Sequence, residues 1–231
     1  MKTKFILLGT AALVLSVAAG AQSGAQIKAG INLANVSTTD DGRVEDANQL
    51  TSFHVGIVGD VPLGSIFYLQ PGVLFTGKGA KTQTGDASTN NYSKATTNPF
   101  YVEIPANLVL KAPIGSGAKL FVGAGPYLGV GVSGKTKIEN VRPIIGSSTF
   151  EKSIEFSDDD PTTLDYEEGA GFGVMRRFDY GFNGMAGIEG KSVVLGVNYG
   201  LGMAKLQSGA NNSENNNNKH RVLSISLGFK L

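Results

Sequence analysis

Residues 221–231 close the sequence with RVLSISLGFKL, in which Arg221, Leu223, Ile225, Leu227, Phe229 and Leu231 alternate with Val222, Ser224, Ser226, Gly228 and Lys230. After Arg221 the first set is wholly apolar, and the second is mostly small or polar. A period of two marks a strand with one oily face and one wet face. The same period recurs upstream, and its meaning depends on what the oily faces meet.

Working back from the tail, residues 193–203 set Val193, Leu195, Val197, Tyr199, Leu201 and Met203 against Gly196, Asn198, Gly200 and Gly202. Residues 178–189 set Phe178, Tyr180, Phe182 and Ile188 against Asp179, Gly181, Asn183 and Glu189. Residues 120–132 alternate Leu120, Val122, Ala124, Leu128, Val130 and Val132 with Gly123, Gly125, Tyr127, Gly129 and Gly131. In residues 100–111, Phe100, Val102, Ile104, Ala106, Leu108 and Leu110 oppose Tyr101, Glu103, Asn107 and Lys111. Residues 66–78, 52–61 and 26–35 repeat the pattern, with Phe75 against Thr76, Phe53 against His54, and Ile31 against Asn32. Each segment is near the roughly 9 to 11 residues that a tilted strand needs to cross a bilayer.

Lys2 and Lys4 precede an apolar run over residues 5–19, which ends in Ala19-Gly20-Ala21. A charged start, an apolar middle and a small-residue cleavage site describe an export signal. The run is also shorter than the roughly 20 residues of a spanning helix. The expected organisation is a cleaved signal peptide over residues 1–21 and one barrel domain over residues 22–231.

With no Cys in the chain, disulfides, thiolate metal sites and a lipid-modified cysteine at the leader junction are excluded. The formal net charge of +1 becomes −1 once Lys2 and Lys4 leave with the leader, and nothing in it suggests nucleic-acid binding. No long apolar run follows the leader. Only a closed barrel can then cross a bilayer, because backbone groups in lipid must pair within the protein.

Connections between the segments support this. Residues 61–65, 112–118 and 190–192 are short turns with Pro or Gly, whereas residues 37–51, 79–99, 134–175 and 207–219 are long loops. Short periplasmic turns opposite long external loops are the asymmetry of an outer-membrane barrel. In that topology Phe53, Phe75, Phe100, Phe178 and Tyr180 fall near the long-loop ends, and Phe67 and Phe229 near the short turns. Two aromatic girdles result, without any Trp. The expected fold is all-β, an eight-stranded antiparallel up-and-down transmembrane β-barrel. Pro71, Pro105 and Pro126 fall inside its strands, where a missing ladder donor calls for bulges or shifted boundaries.

FYVEIPANLVL over residues 100–110, Gly123-Ala124-Gly125-Pro126, DYGFNGMAGIE over residues 179–189, Tyr199-Gly200-Leu201 and the closing Gly228-Phe229-Lys230-Leu231 resemble the outer-membrane beta-barrel domain common in Bacteroidetes, the PorT-like barrels. The likeness covers essentially the whole mature chain. It implies a location in the outer membrane and recognition of Phe229 and Leu231 by barrel-assembly machinery. It implies no catalytic motif, and it places Pro105 and Pro126 within the family pattern.

Inward positions include Lys28, Asp60, Glu103, Lys111, Asp179, Glu189 and Lys230, a mixed set that fills a narrow interior as a structural network. His54 and His220 also point inward near the long-loop end. Beside Ser52, His54 could act as a general base, but no nucleophile motif accompanies it. Glu155, Asp158, Asp159, Asp160, Asp165, Glu167 and Glu168 could offer calcium oxygens without the spacing of a helix-loop-helix site, and read as a solvated loop. Residues 169–173 lack the context of a nucleotide loop, and residues 211–218 read as a polar loop tip. No catalytic, cofactor-binding or metal residue is assigned, and no cofactor is expected. The expected partners are outer-membrane lipid, assembly machinery during biogenesis and an extracellular or envelope protein met through the long loops. The expected role is structural or surface interaction, against a narrow pore, an export-machinery subunit, or a lipid-active enzyme.

Overall fold

An apolar residue at every second position leaves a strand's other face free to turn toward a lumen, and eight such strands can close on themselves. The computed structural model shows this closure and describes residues 24–40, 43–46, 49–86, 91–115, 117–142, 146–157, 174–204 and 219–231. Eight long strands form the ring: β1 (Gly24–Asp40), β3 (Leu50–Pro62), β4 (Phe67–Gly77), β6 (Asn91–Gly115), β7 (Ala118–Arg142), β11 (Phe178–Glu189), β12 (Val193–Gly202) and β13 (Lys219–Lys230). Each pairs antiparallel with the next in the chain. The ring closes between β1 and β13, from Gln26 opposite Lys230 to Ser37 opposite Lys219. No edge of the ring is left open in lipid.

The alternation sorts as expected. On β13, Ile225, Leu227 and Phe229 are exposed on the outside while Val222, Ser224, Ser226 and Gly228 are buried inside. Together with Ile27, Ile31, Val55, Leu128, Leu195 and many others, they make a continuous outer belt of exposed apolar side chains. A belt of that extent needs lipid around it. Phe53, Phe75 and Phe100 touch one another at its long-loop end, with ring centroids 5.1 to 6.1 Å apart. Phe67 and Phe229 lie exposed at the other end.

The prolines behave differently from the expectation. The register is unchanged on either side of Pro71, Pro105 and Pro126, with bulges instead between Phe100 and Tyr101 and between Pro113 and Gly115. Each proline is accommodated by a small residue facing it across the ladder: by register, Gly59 opposes Pro71, Gly72 opposes Pro105 and Ala106 opposes Pro126. The Pro71 ring would lie only 3.5 Å from a side chain added at Gly59, and the Pro105 ring 3.3 Å from one at Gly72. A missing donor at these points breaks single ladder rungs without shifting the strands.

Three segments expected as long loops also contain strands. β5 (Ala80–Asp86), the first part of β6, the last part of β7 and β8 (Gly146–Ser153) form a four-stranded sheet that continues past the aromatic cluster. Shorter pieces are β2 (Arg43–Asp46) on β1 and a parallel pair of β9 (Glu155–Ser157) and β10 (Val174–Arg176). At the opposite end the connections are tight: Gly115 and Gly117 take φ of +101° and +83°, the left-handed region glycine favours. The leader residues 1–21, most of the acidic run, the glycine segment 169–173 and the polar tract 211–218 lie outside the described residues.

Candidate functional site

Inward alternation brings the charged residues into two ion clusters separated along the barrel. Near the short turns, Lys111 pairs with Asp60 and with Glu189, the latter at 2.5 Å, and Lys230 pairs with Glu189. Gln70 donates to Asp60 at 3.1 Å, and the Lys111 ammonium lies 4.5 Å from the Tyr68 ring centre. Next to it Val109, Phe121 and Val194 pack as a small apolar layer, with Tyr68 and Met185 against it. Towards the long-loop end, Lys78 bridges Glu103 at 2.6 Å and Asp179 at 2.7 Å and lies 4.1 Å from the Tyr127 ring centre. Lys111 and Lys78 each face two carboxylates, which offsets the cost of burying the charges.

Between the clusters Asn32 is a fully buried hub. Its amide donates to Thr76 Oγ1 and the Gly77 carbonyl, both at 2.9 Å, and its oxygen is 2.7 Å from His54 Nδ1 and accepts from Ser224 at 2.8 Å. Beside it lies a cavity of about 40 Å³ lined by Gln26, Lys28, His54, Gln70 and Asn107 among others. That is space for about three water molecules. His54 Nε2, Gln70 Oε1 and Asn107 Oδ1 have no hydrogen-bond partner among the described residues, and acceptors of this kind suit a small water cluster.

The chain after β8 folds into the outer mouth. Phe156 turns inward edge-on to the Tyr101 ring at 5.8 Å, and Tyr101 in turn meets the His220 ring at 5.6 Å. Ile154 and Met175 are buried with Phe156 and Val36 against them, and Arg177 donates to the Phe156 carbonyl at 2.9 Å. Glycine is required below: a side chain at Gly131 would meet the Phe156 ring at 2.2 Å.

Of the residues singled out from sequence, the structure joins Asp60, Lys111, Glu189 and Lys230 in one cluster and Glu103 and Asp179 in the other. Lys28 lines the cavity without a direct ion partner among the described residues. The Ser52 hydroxyl donates to Asn98 at 3.4 Å and is not bonded to His54, whose Nδ1 is committed to Asn32. His54 and His220 are both buried on the lumen side. From the acidic run Glu155 is described, 4.0 Å from Lys152. Sequence reasoning placed Tyr101 on the inward face without giving it a contact, and missed Lys78 and the inward-folded Phe156. Lys78 continues the inward series of Gln70 and Thr76, so the alternation already carried it; Phe156 stands in an acidic stretch with no periodic signal.

Outside the barrel, the sheet of β5, β6, β7 and β8 turns a charged face away from the axis. Lys135 and Glu151 bond at 2.5 Å and Lys137 and Glu139 at 2.6 Å. Hydrogen bonding to these lysines holds both carboxyls below their ordinary range and raises the Lys137 ammonium.

The family model described as "Outer membrane protein beta-barrel domain" matches residues 20–206. The chain belongs to that family. A member of the outer membrane protein beta-barrel domain family resides in the outer membrane, with its apolar belt in lipid. Similar solved structures include Ail, the attachment invasion locus protein of Yersinia pestis, with 12% identity over 90% of this chain and 99% of that one and a TM-score of 0.40. Neisserial surface protein A is 14% identical over 90% and 97% of the two chains, with a TM-score of 0.43. The outer membrane protein OprG from Pseudomonas aeruginosa is 12% identical over 90% and 96%, with a TM-score of 0.35. No curated protein matches the chain.

Proposed function

We propose that this barrel serves a structural and surface-interaction role in the outer membrane, without chemistry of its own and without a solute path. The observation that carries this reading is the filled lumen: two ion clusters, an apolar layer and the Phe156 cap succeed one another along it. Water-filled transport needs a continuous wet passage, and eight strands enclose little more than their own side chains. The parts left to meet other molecules are then the external sheet and the neighbouring long connections, toward an extracellular or envelope partner. In this reading residues 1–21 are removed on export, and assembly machinery reads Phe229 and Leu231. The PorT-like affiliation is supported by motif resemblance, and co-purification with export components would favour that alternative.

The test is electrical. Purified protein in planar bilayers should conduct no better than protein-free controls, and steady single-channel currents would overturn the reading. Replacing both His54 and His220 should leave membrane lipid composition unaltered, whereas a changed lipid profile would point to a lipid-active enzyme.

A further inference from the structure

The bulge on β7 decides which side chains the external sheet presents. Lipid-facing residues on this strand run through Leu128, Val130 and Val132, but both Val132 and Ser133 are exposed, and opposite them the β6 register shifts between Phe100 and Tyr101. The extra residue moves the parity by one, so that Lys135, Lys137 and Glu139 continue outward while Thr136 turns inward and is buried. A bulge re-aims a strand's side chains in this way. Without it the outward face would carry Gly134, Thr136 and Ile138.

Cross-strand partners extend the same face. Lys81, Thr96, Lys137 and Glu151 form one row, and Gln83, Lys94, Glu139 and Thr149 the next. The face thus holds four lysines, Lys81, Lys94, Lys135 and Lys137, against two carboxylates, Glu139 and Glu151. Lys135 is 69% exposed and Lys137 46%. Among the described residues Lys81 and Lys94 have no ion partner. The rows begin at the Phe53–Phe75–Phe100 cluster, which marks the outer limit of the hydrocarbon, and each row lies about 7 Å further along the strand. Lysines so placed stand beside the headgroups of the outer leaflet, on the surface continuous with the lipid belt.

We infer that this lysine face binds the phosphates of outer-leaflet glycolipid headgroups, which gives the surface role proposed above a specific ligand class and rests on that reading. Cationic side chains near an anionic lipid surface attract it through screened charge. Glu139 and Glu151 temper the attraction by engaging Lys137 and Lys135. The barrel's outer rim then carries its own annular lipid, held at one sector beneath the external sheet.

The test uses the full barrel in dodecyl maltoside, titrated with fluorescent diphosphoryl lipid A and with its dephosphorylated form, binding being read by anisotropy. The phosphorylated lipid should bind more tightly, and increasingly so as salt falls. The K81Q/K94Q variant should lose about fivefold per lysine. The E139Q/E151Q variant should gain affinity, which a merely structural role for these pairs does not produce. Lys191→Gln at the short-turn end should match wild type. Equal affinity for the two lipids, or an E139Q/E151Q variant that binds no better, would sink the inference; should the lysine variant misfold by heat-modifiable gel mobility, the carboxylate variant decides alone. Steady channel currents with intact lipid preference would instead remove only the structural reading.

Discussion

At the scale of one residue, Asn32 shows how a lumen position gains weight from its partners. It was legible in the sequence as an inward residue opposite Ile31 and nothing more, because alternation gives the face but not the neighbours. Five partners from three other strands, β3, β4 and β13, converge on its side chain. Replacing Asn32 by Leu leaves the His54, Ser224 and Thr76 groups buried without it. Each stranded group costs about 1–3 kcal/mol, so the variant should lose about 3 kcal/mol, allowing for shared relaxation. Ser226→Ala removes one bond, to the Gly196 carbonyl at 3.3 Å, and should cost under about 1 kcal/mol. Urea unfolding in lipid vesicles, followed by gel mobility without heating, compares the two; equal losses would remove Asn32 from its place as hub.

At the scale of the element, the strands in lipid were readable because one face meets hydrocarbon and the other a polar interior, so composition alternates with period two. Beyond the aromatic cluster neither face meets hydrocarbon. There Lys135, Lys137 and Glu139 alternate with Thr136, Ile138 and Asn140, a contrast too weak to distinguish strand from loop, so β5, β8 and the outer halves of β6 and β7 look like loops in the sequence. The bulge was invisible for a related cause: a parity change shows in sequence only where the two faces differ in hydropathy. It does make a sharp prediction. In a chain with no native Cys, single cysteines placed by Ser133→Cys, Lys135→Cys and Lys137→Cys should react with a membrane-impermeant maleimide on intact cells, and Thr136→Cys should be protected. The reverse pattern, with position 136 reactive and positions 135 and 137 protected, would mean that β7 runs without the bulge.

At the scale of the whole molecule, closure is what turns eight amphipathic strands into a membrane protein. Pro71, Pro105 and Pro126 could threaten closure only by displacing a register; facing Gly59, Gly72 and Ala106, they do not. The seam between β1 and β13 is therefore the decisive place to test the architecture, since it joins residues nearly the full domain apart in sequence. Ile31 and Ile225 are directly opposed across it, both pointing into lipid. Opposed positions in an antiparallel pair have Cα atoms about 4.5 to 5.5 Å apart, within the reach of a disulfide. The double variant Ile31→Cys, Ile225→Cys should oxidise to an intramolecular disulfide in the folded barrel. Once boiled, its oxidised form should migrate differently from its reduced form, because the unfolded chain is tied into one large loop. Cross-linking at that span restricts the unfolded chain by about 5 kcal/mol on the chain-entropy account, so the oxidised barrel should also resist urea more than wild type. A pair that oxidises only between molecules would place β1 and β13 at open edges, and the ring would not be closed.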